Sequence, residues 1–147
     1  MVFPPQAIRA KLKKLRKMVG LLDKIRAFGE AAYNEDELTQ AAAERALQIA
    51  CQCVLDIGNH IIAEKALPLP NDNDEIIVIL EKAGIISQDL AGRLAGLGGF
   101  RNVLVHDYLD LDHGRIFHEH LEHLDDLRDF ANEVTKFLGD VEKKKKN

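Results

Sequence analysis

The sequence predicts an all-α protein, a single-domain bundle of four or five helices, and three observations carry that expectation. Apolar residues recur at three- and four-residue spacing along most of the chain, which places them on one face of a helix. Aromatic residues make up only 5% with no tryptophan, so the core must be mostly Leu, Ile, Val and Ala, which favours packed helices over a sheet. Helix-starting and helix-stopping residues punctuate the periodic segments, and no segment has the character of a strand.

Pro4 and Pro5 suit a helix start, where a missing N–H costs nothing. Ile8, Leu12, Leu15, Val19, Leu22 and Ile25 form the buried stripe of this first helix, which should end near Phe28 and Gly29. Asn34 is expected to open the second helix, with Glu37 as its capping-box partner, and the pattern holds towards Leu67 before Pro68 and Pro70 stop it. A shorter helix from about Asp74 to Lys82 is capped by Asn73 and closed by Gly84. Ser87 opens a fourth helix whose buried side is Leu90, Leu94, Leu97, Phe100 and Leu104. Gly96, Gly98 and Gly99 each cost that helix about 1 kcal/mol relative to Ala, and close approach of another backbone is a reason to keep them. Asp112 caps a last helix running to about Leu138, with Phe117, Leu121, Leu124, Leu127, Ala131 and Val134 on its apolar side. Residues 1–141 are thus one helical domain, and 142–147 a basic C-terminal tail.

At 147 residues the chain is long enough for one self-sufficient core. Its formal net charge of -4 argues against holding nucleic acid by bulk electrostatics, but leaves room for positive charge gathered at one site. Lys11, Lys13, Lys14, Arg16 and Lys17 crowd the first helix, with a solvated face as their default reading and guidance of RNA as the functional one. The two cysteines, Cys51 and Cys53, would point about 200° apart on a helix, so free thiols are expected and a reducing compartment fits. No apolar run approaches the ~18 residues that cross a bilayer and no signal-peptide core is visible, so a cytoplasmic protein with no membrane partner is expected.

The chemistry concentrates in Arg101-Asn102-Val103-Leu104-Val105-His106-Asp107-Tyr108. A guanidinium holds a phosphate through a planar fork, and an imidazole moves protons near neutral pH. Those two groups suffice to cleave RNA without a metal. On an unbroken helix Arg101 and His106 would project about 140° apart, so they need either a helix end at His106 or contributions from two subunits. Asn102, four residues before His106, lies within about 40° of it and is placed to orient the imidazole or hold a substrate oxygen.

The string Arg-x4-His-x-Tyr resembles the signature of the HEPN ribonuclease superfamily, and its trailing tyrosine resembles the HepT-like toxin branch. The likeness extends loosely over most of the chain, including Glu44-Arg45 and Asp56-Ile57-Gly58-Asn59-His60. It implies a HEPN-like bundle, a homodimer with facing motif helices, and a toxin that cuts RNA (tRNA or mRNA) with no cofactor or metal. In that reading His106 is the general acid or base, Arg101 stabilises the phosphate, and Asn102 supports them. The resemblance also implies an MntA-like nucleotidyltransferase antitoxin as partner, which transfers AMP to Tyr108 and so neutralises the toxin. Two other classes share the frame: a non-catalytic HEPN-type module binding a nucleotide or a nucleotidyltransferase, and a purely structural dimerisation bundle.

Other constellations weigh less. His113, His118, His120 and His123 do not converge on one helix face as metal ligands must, so structural or solvated roles are expected. Glu44, Gln48, Gln52, Asp56, His60 and Glu64 form an i, i+4 polar ridge, usually a solvated face, along which Asp56 or Glu44 is the candidate to hold Arg101.

Overall fold

The computed structural model describes residues 5–146, and among them there is no strand. Helix α1 (Pro5–Ala27) begins at Pro5, while Pro4 lies outside the described residues. Its whole expected stripe, from Ile8 to Ile25, is buried against α3 (Glu37–Glu64) and α8 (Asp125–Lys146). The bundle core is one continuous cluster, with α3 at its centre.

The chain does not start its second helix at Asn34. Gly29 turns at φ 90, and a short α2 (Glu30–Glu35) follows, burying Tyr33 and containing Asn34. Asp36 is the actual cap of α3: its carboxylate accepts from the Leu38 N–H at 3.0 Å and the Thr39 hydroxyl at 2.8 Å. Tyr33 explains the shift, since an unbroken helix from Asn34 would leave no short element to carry this ring inward. By length and composition α3 would also pass as a membrane-crossing helix, with a mean hydropathy of 1.3 over 18 residues, contrary to the sequence reading. Here 61% of that window is buried inside the bundle. It ends at Glu64, before Leu67, through the left-handed residue Ala66 (φ 52).

Helix α4 (Asn73–Lys82) is capped one residue earlier than expected, by Asp72, whose side chain accepts from Glu75 N at 2.9 Å. Gly84 closes it in the left-handed conformation (φ 73), as its sequence position implied. Gly58 lets α4 pack onto α3, because a Cβ there would meet Ile76 Cγ2 at 2.4 Å. Gly58→Ala is therefore expected to lower the unfolding free energy by about 1–3 kcal/mol. Gly20→Ala, on α1 with nothing near its Cβ position, should be neutral or stabilising in the same denaturant titration.

The expected fourth helix is two helices. Ser87 does cap α5 (Gln88–Arg93), its hydroxyl accepting from Leu90 N at 3.2 Å. The chain then turns through Leu94, Ala95 and Gly96 before α6 (Leu97–His106) lies across α3 and the start of α4. Only Gly98 of the three glycines marks a close approach: its Cβ would stand 2.9 Å from Asn73 Cβ and 3.2 Å from the Asn73 carbonyl carbon.

The last expected helix is also interrupted. Asp112 caps a single turn, α7 (His113–Arg115), accepting from Arg115 N at 3.1 Å. A π-helical turn (Ile116–His120) and a 3-10 turn (Leu121–His123) then precede α8. Ile116, Phe117, Leu121 and Leu124 are all buried along this passage, so the irregular turns keep the apolar side that the spacing predicts. Helix α8 continues to Lys146 and so carries the basic run of the expected tail.

Candidate functional site

Helix α6 ends at His106, where Asp107 leaves helical geometry (φ −108, ψ 30) and a 3-10 turn from Tyr108 to Asp110 begins. Arg101 and His106 thus sit on one regular helix and diverge by about 140°. Leu104, between them, is buried and fixes α6 to the core.

Arg101 is half-buried and faces α3. Its Nε donates to Gln52 Oε1 at 2.8 Å, and its Nη1 donates to Asn102 Oδ1 at 3.2 Å. Gln52 Nε2 in turn donates to Asp56 Oδ1 at 2.7 Å, and Asp56 Oδ2 lies 3.7 Å from Lys11 Nζ. A polar chain therefore runs from α1 through α3 to the guanidinium. Of the two residues thought able to hold Arg101, Asp56 acts only through Gln52. Glu44 is engaged elsewhere, 3.0 Å from His113 Nε2. Asn102 likewise spends its amide oxygen on Arg101 and not on the imidazole.

The neutrality of these partners matters. Arg9, Arg26, Arg93, Arg115 and Arg128 each pair with at least one carboxylate, whereas among the described residues Arg101, like Arg16 and Arg45, pairs with none. Amide oxygens orient a guanidinium without cancelling its charge, so Arg101 stays available to an anion. His106 is exposed, and among the described residues nothing hydrogen-bonds its ring. Tyr108 is 63% exposed, with its hydroxyl equally free among those residues, and Leu109 beside it is 84% exposed.

The remaining histidines have structural surroundings. Tyr33 Oη and His113 Nδ1 are 2.8 Å apart, which with Glu44 forms a relay tying α2 and α3 to the irregular passage. Burial, and then the Glu44 charge, push the Tyr33 hydroxyl far above the usual phenol range, so it stays protonated. His118 lies 2.7 Å from Glu30 and 3.3 Å from Glu122, and hydrogen bonding to Glu30 raises its pKa. His120 stacks flat on Phe100, ring centres 3.4 Å apart at 8°, and desolvation pushes it down to about 4, hence neutral. Among the described residues no three His, Cys, Asp or Glu side chains gather as metal ligands. Cys51 and Cys53 are free and buried, and burial pushes the Cys51 thiol up to about 12. On the face of α6 turned from Gln52 lies a cleft of about 480 Å³.

Gln52 is the residue that sequence reasoning missed. It lay in plain view on the polar ridge of α3, but only the crossing of α6 over that ridge gives it a partner.

The all-helical fold, with Arg101, His106 and Tyr108 gathered at the end of one helix, is a HEPN-like bundle. The chain belongs to the ribonuclease HepT-like family, which it matches over residues 8–134. It is 26% identical over 124 residues to the mRNA nuclease HepT of Shewanella oneidensis, covering 84% of this chain and 92% of that one. It is 30% identical over 113 residues to the tRNA nuclease HepT of Aphanizomenon flos-aquae, covering 77% of each. Among solved structures it superimposes on the tri-AMPylated HEPN toxin of Shewanella oneidensis in complex with an MNT antitoxin. That match has a TM-score of 0.79 at 26% identity, over 88% of this chain and 96% of the other.

Proposed function

We propose that this protein is the toxin of a cytoplasmic toxin–antitoxin pair and a metal-independent endoribonuclease, acting as a homodimer. The observation that carries the reading is Arg101, a guanidinium fixed by two amide oxygens with no carboxylate to neutralise it, on the same helix as the free imidazole of His106. The ribose 2′-oxygen attacks the adjacent phosphorus, and the bond to the 5′-oxygen breaks. His106 takes the 2′-OH proton or supplies one to the departing 5′-oxygen, while Arg101 stabilises the charge on the phosphorane-like transition state. The products are a 2′,3′-cyclic phosphate and a 5′-hydroxyl. The divergence of the two side chains on α6 supports a site completed across a twofold axis, Arg101 of one subunit facing His106 of the other. Purified protein given single-stranded RNA should leave these two end groups; ends of any other kind would sink the mechanism.

Tyr108 is the proposed regulatory position. Its hydroxyl attacks the α-phosphate of ATP held by a nucleotidyltransferase antitoxin of the MntA type, releasing pyrophosphate and leaving AMP on the ring. The added bulk and negative charge beside the motif then compete with RNA for Arg101. The AMPylated state of the Shewanella oneidensis toxin supports this, as does the exposure of Tyr108. Intact-mass measurement after coexpression with such an antitoxin should show one or more AMP increments on the wild type and none on Tyr108→Phe. Increments that persist in that variant would move the modification elsewhere.

A further inference from the structure

The cleft beside α6 has no role in the mechanism above, although it shares a helix with the motif. Phe100 and Val103 of α6, with Gly96 at its cap, form one wall and follow one stripe of the helix. His106, three residues past Val103, lies about 60° from it on the next turn of that stripe. Asp110 and Leu111, just beyond Tyr108, line the cleft too, so it reaches the chain that follows His106. Its volume of about 480 Å³ falls within the usual range for small-ligand pockets.

The lining states what fits. Phe100 and His120, stacked face to face, give a thick aromatic wall, and Leu47, Leu97 and Ile116 make the rest apolar. His120 is neutral, so it attracts no phosphate. Both arginines at the cleft are already committed: Arg93 to Asp126 at 2.8 Å and Asp129 at 2.9 Å, Arg115 to Glu119 at 3.1 Å. The polar groups left free among the described residues are Asp110 and His123. This is a poor phosphate site and a good one for a flat, uncharged ring that offers an N–H donor.

We propose that the cleft is a nucleobase subsite, taking one of the two bases that flank the scissile phosphate while the phosphate stays outside, between His106 and the Arg101 that a second subunit brings to it. The assignment rests on the nuclease reading for the identity of the ligand. The Asp110 carboxylate favours bases bearing an exocyclic amino group, adenine, cytosine or guanine, over uracil, whose single donor lies between two carbonyls. Stacking supplies affinity and Asp110 supplies preference.

The test uses 2′-fluoro hexanucleotides, which have no 2′-OH to attack, carrying each base or an abasic residue at the two central positions. Fluorescence anisotropy with the wild type should show at least about tenfold tighter binding for a base than for the abasic residue at one position, with uracil weakest. Gly96→Leu fills the cleft where nothing lies within 4 Å of a Cβ, and should erase the base-over-abasic difference. Val103→Phe, on the same wall, should do likewise, and unchanged thermal midpoints show that both variants fold. Asp110→Asn should keep base over abasic but lose the discrimination against uracil. Equal binding of base-bearing and abasic probes by the wild type overturns the proposal, and so does a preference that survives both filling variants. The probes are never cut, so the two readings fail separately. A protein that prefers bases yet leaves RNA intact sinks only the nuclease, and one that cuts RNA with no base preference in binding sinks only the subsite.

Discussion

His106→Ala should lower the turnover number for RNA cleavage by about 10²–10⁴-fold, the usual value of a positioned general acid or base. The Michaelis constant should change little, because a single exposed imidazole adds little to ground-state binding beside the guanidinium. Arg101→Ala should lower turnover by about 10²–10³-fold and also raise the Michaelis constant, since a guanidinium attracts the phosphate before as well as during the reaction. Arg101→Lys should recover little: an ammonium cannot donate to Gln52 and Asn102 and still offer a fork to phosphate. Neither alanine variant removes a core group, so thermal midpoints should stay close to the wild type. Mixing the two inactive variants adds a sharper outcome. If Arg101 and His106 meet across the twofold axis, each heterodimer regains one intact site, and random exchange of subunits restores about a quarter of wild-type activity. No recovery would place both groups of one site in a single chain, and full activity of His106→Ala would end the catalytic assignment.

The sequence makes the motif legible because its groups are local: eight consecutive residues hold the arginine, the histidine and the tyrosine. Helix existence was legible for the same reason, through the α1 stripe, the Ser87 cap and the Gly84 stop. What escaped depends on contacts distant in sequence. The burial of Tyr33 moves the cap from Asn34 to Asp36, and its partner His113 lies 80 residues away. The break between α5 and α6 owes less to helix propensity than to the need for Gly98 to rest on the start of α4. The π-helical turn keeps the apolar spacing of a helix on paper, so periodicity cannot distinguish it from a regular one. Gln52 and Asp56 are likewise indistinguishable from a solvated ridge until α6 crosses them.

Gln52 carries the second large effect, as a positioning residue for Arg101. Its amide accepts from the guanidinium at one end and donates to Asp56 at the other, at 2.8 and 2.7 Å. A neutral amide can do both, which neither a carboxylate nor an aliphatic side chain can. Gln52→Leu removes the anchor but leaves the charge, so turnover should fall by about 10–100-fold through misplacement of the fork, with the Michaelis constant within about threefold. Gln52→Glu has the opposite profile. A carboxylate would pair with Arg101 internally and face Asp56 with no donor between them. The positive field at the phosphate then weakens, so RNA binding should loosen by about tenfold at low salt and its salt dependence should flatten. A residue that only held α6 to α3 would lower stability in both variants and leave the two constants moving together. The divergent response, turnover for leucine and affinity for glutamate, is the signature of a group that aims a charge without quenching it.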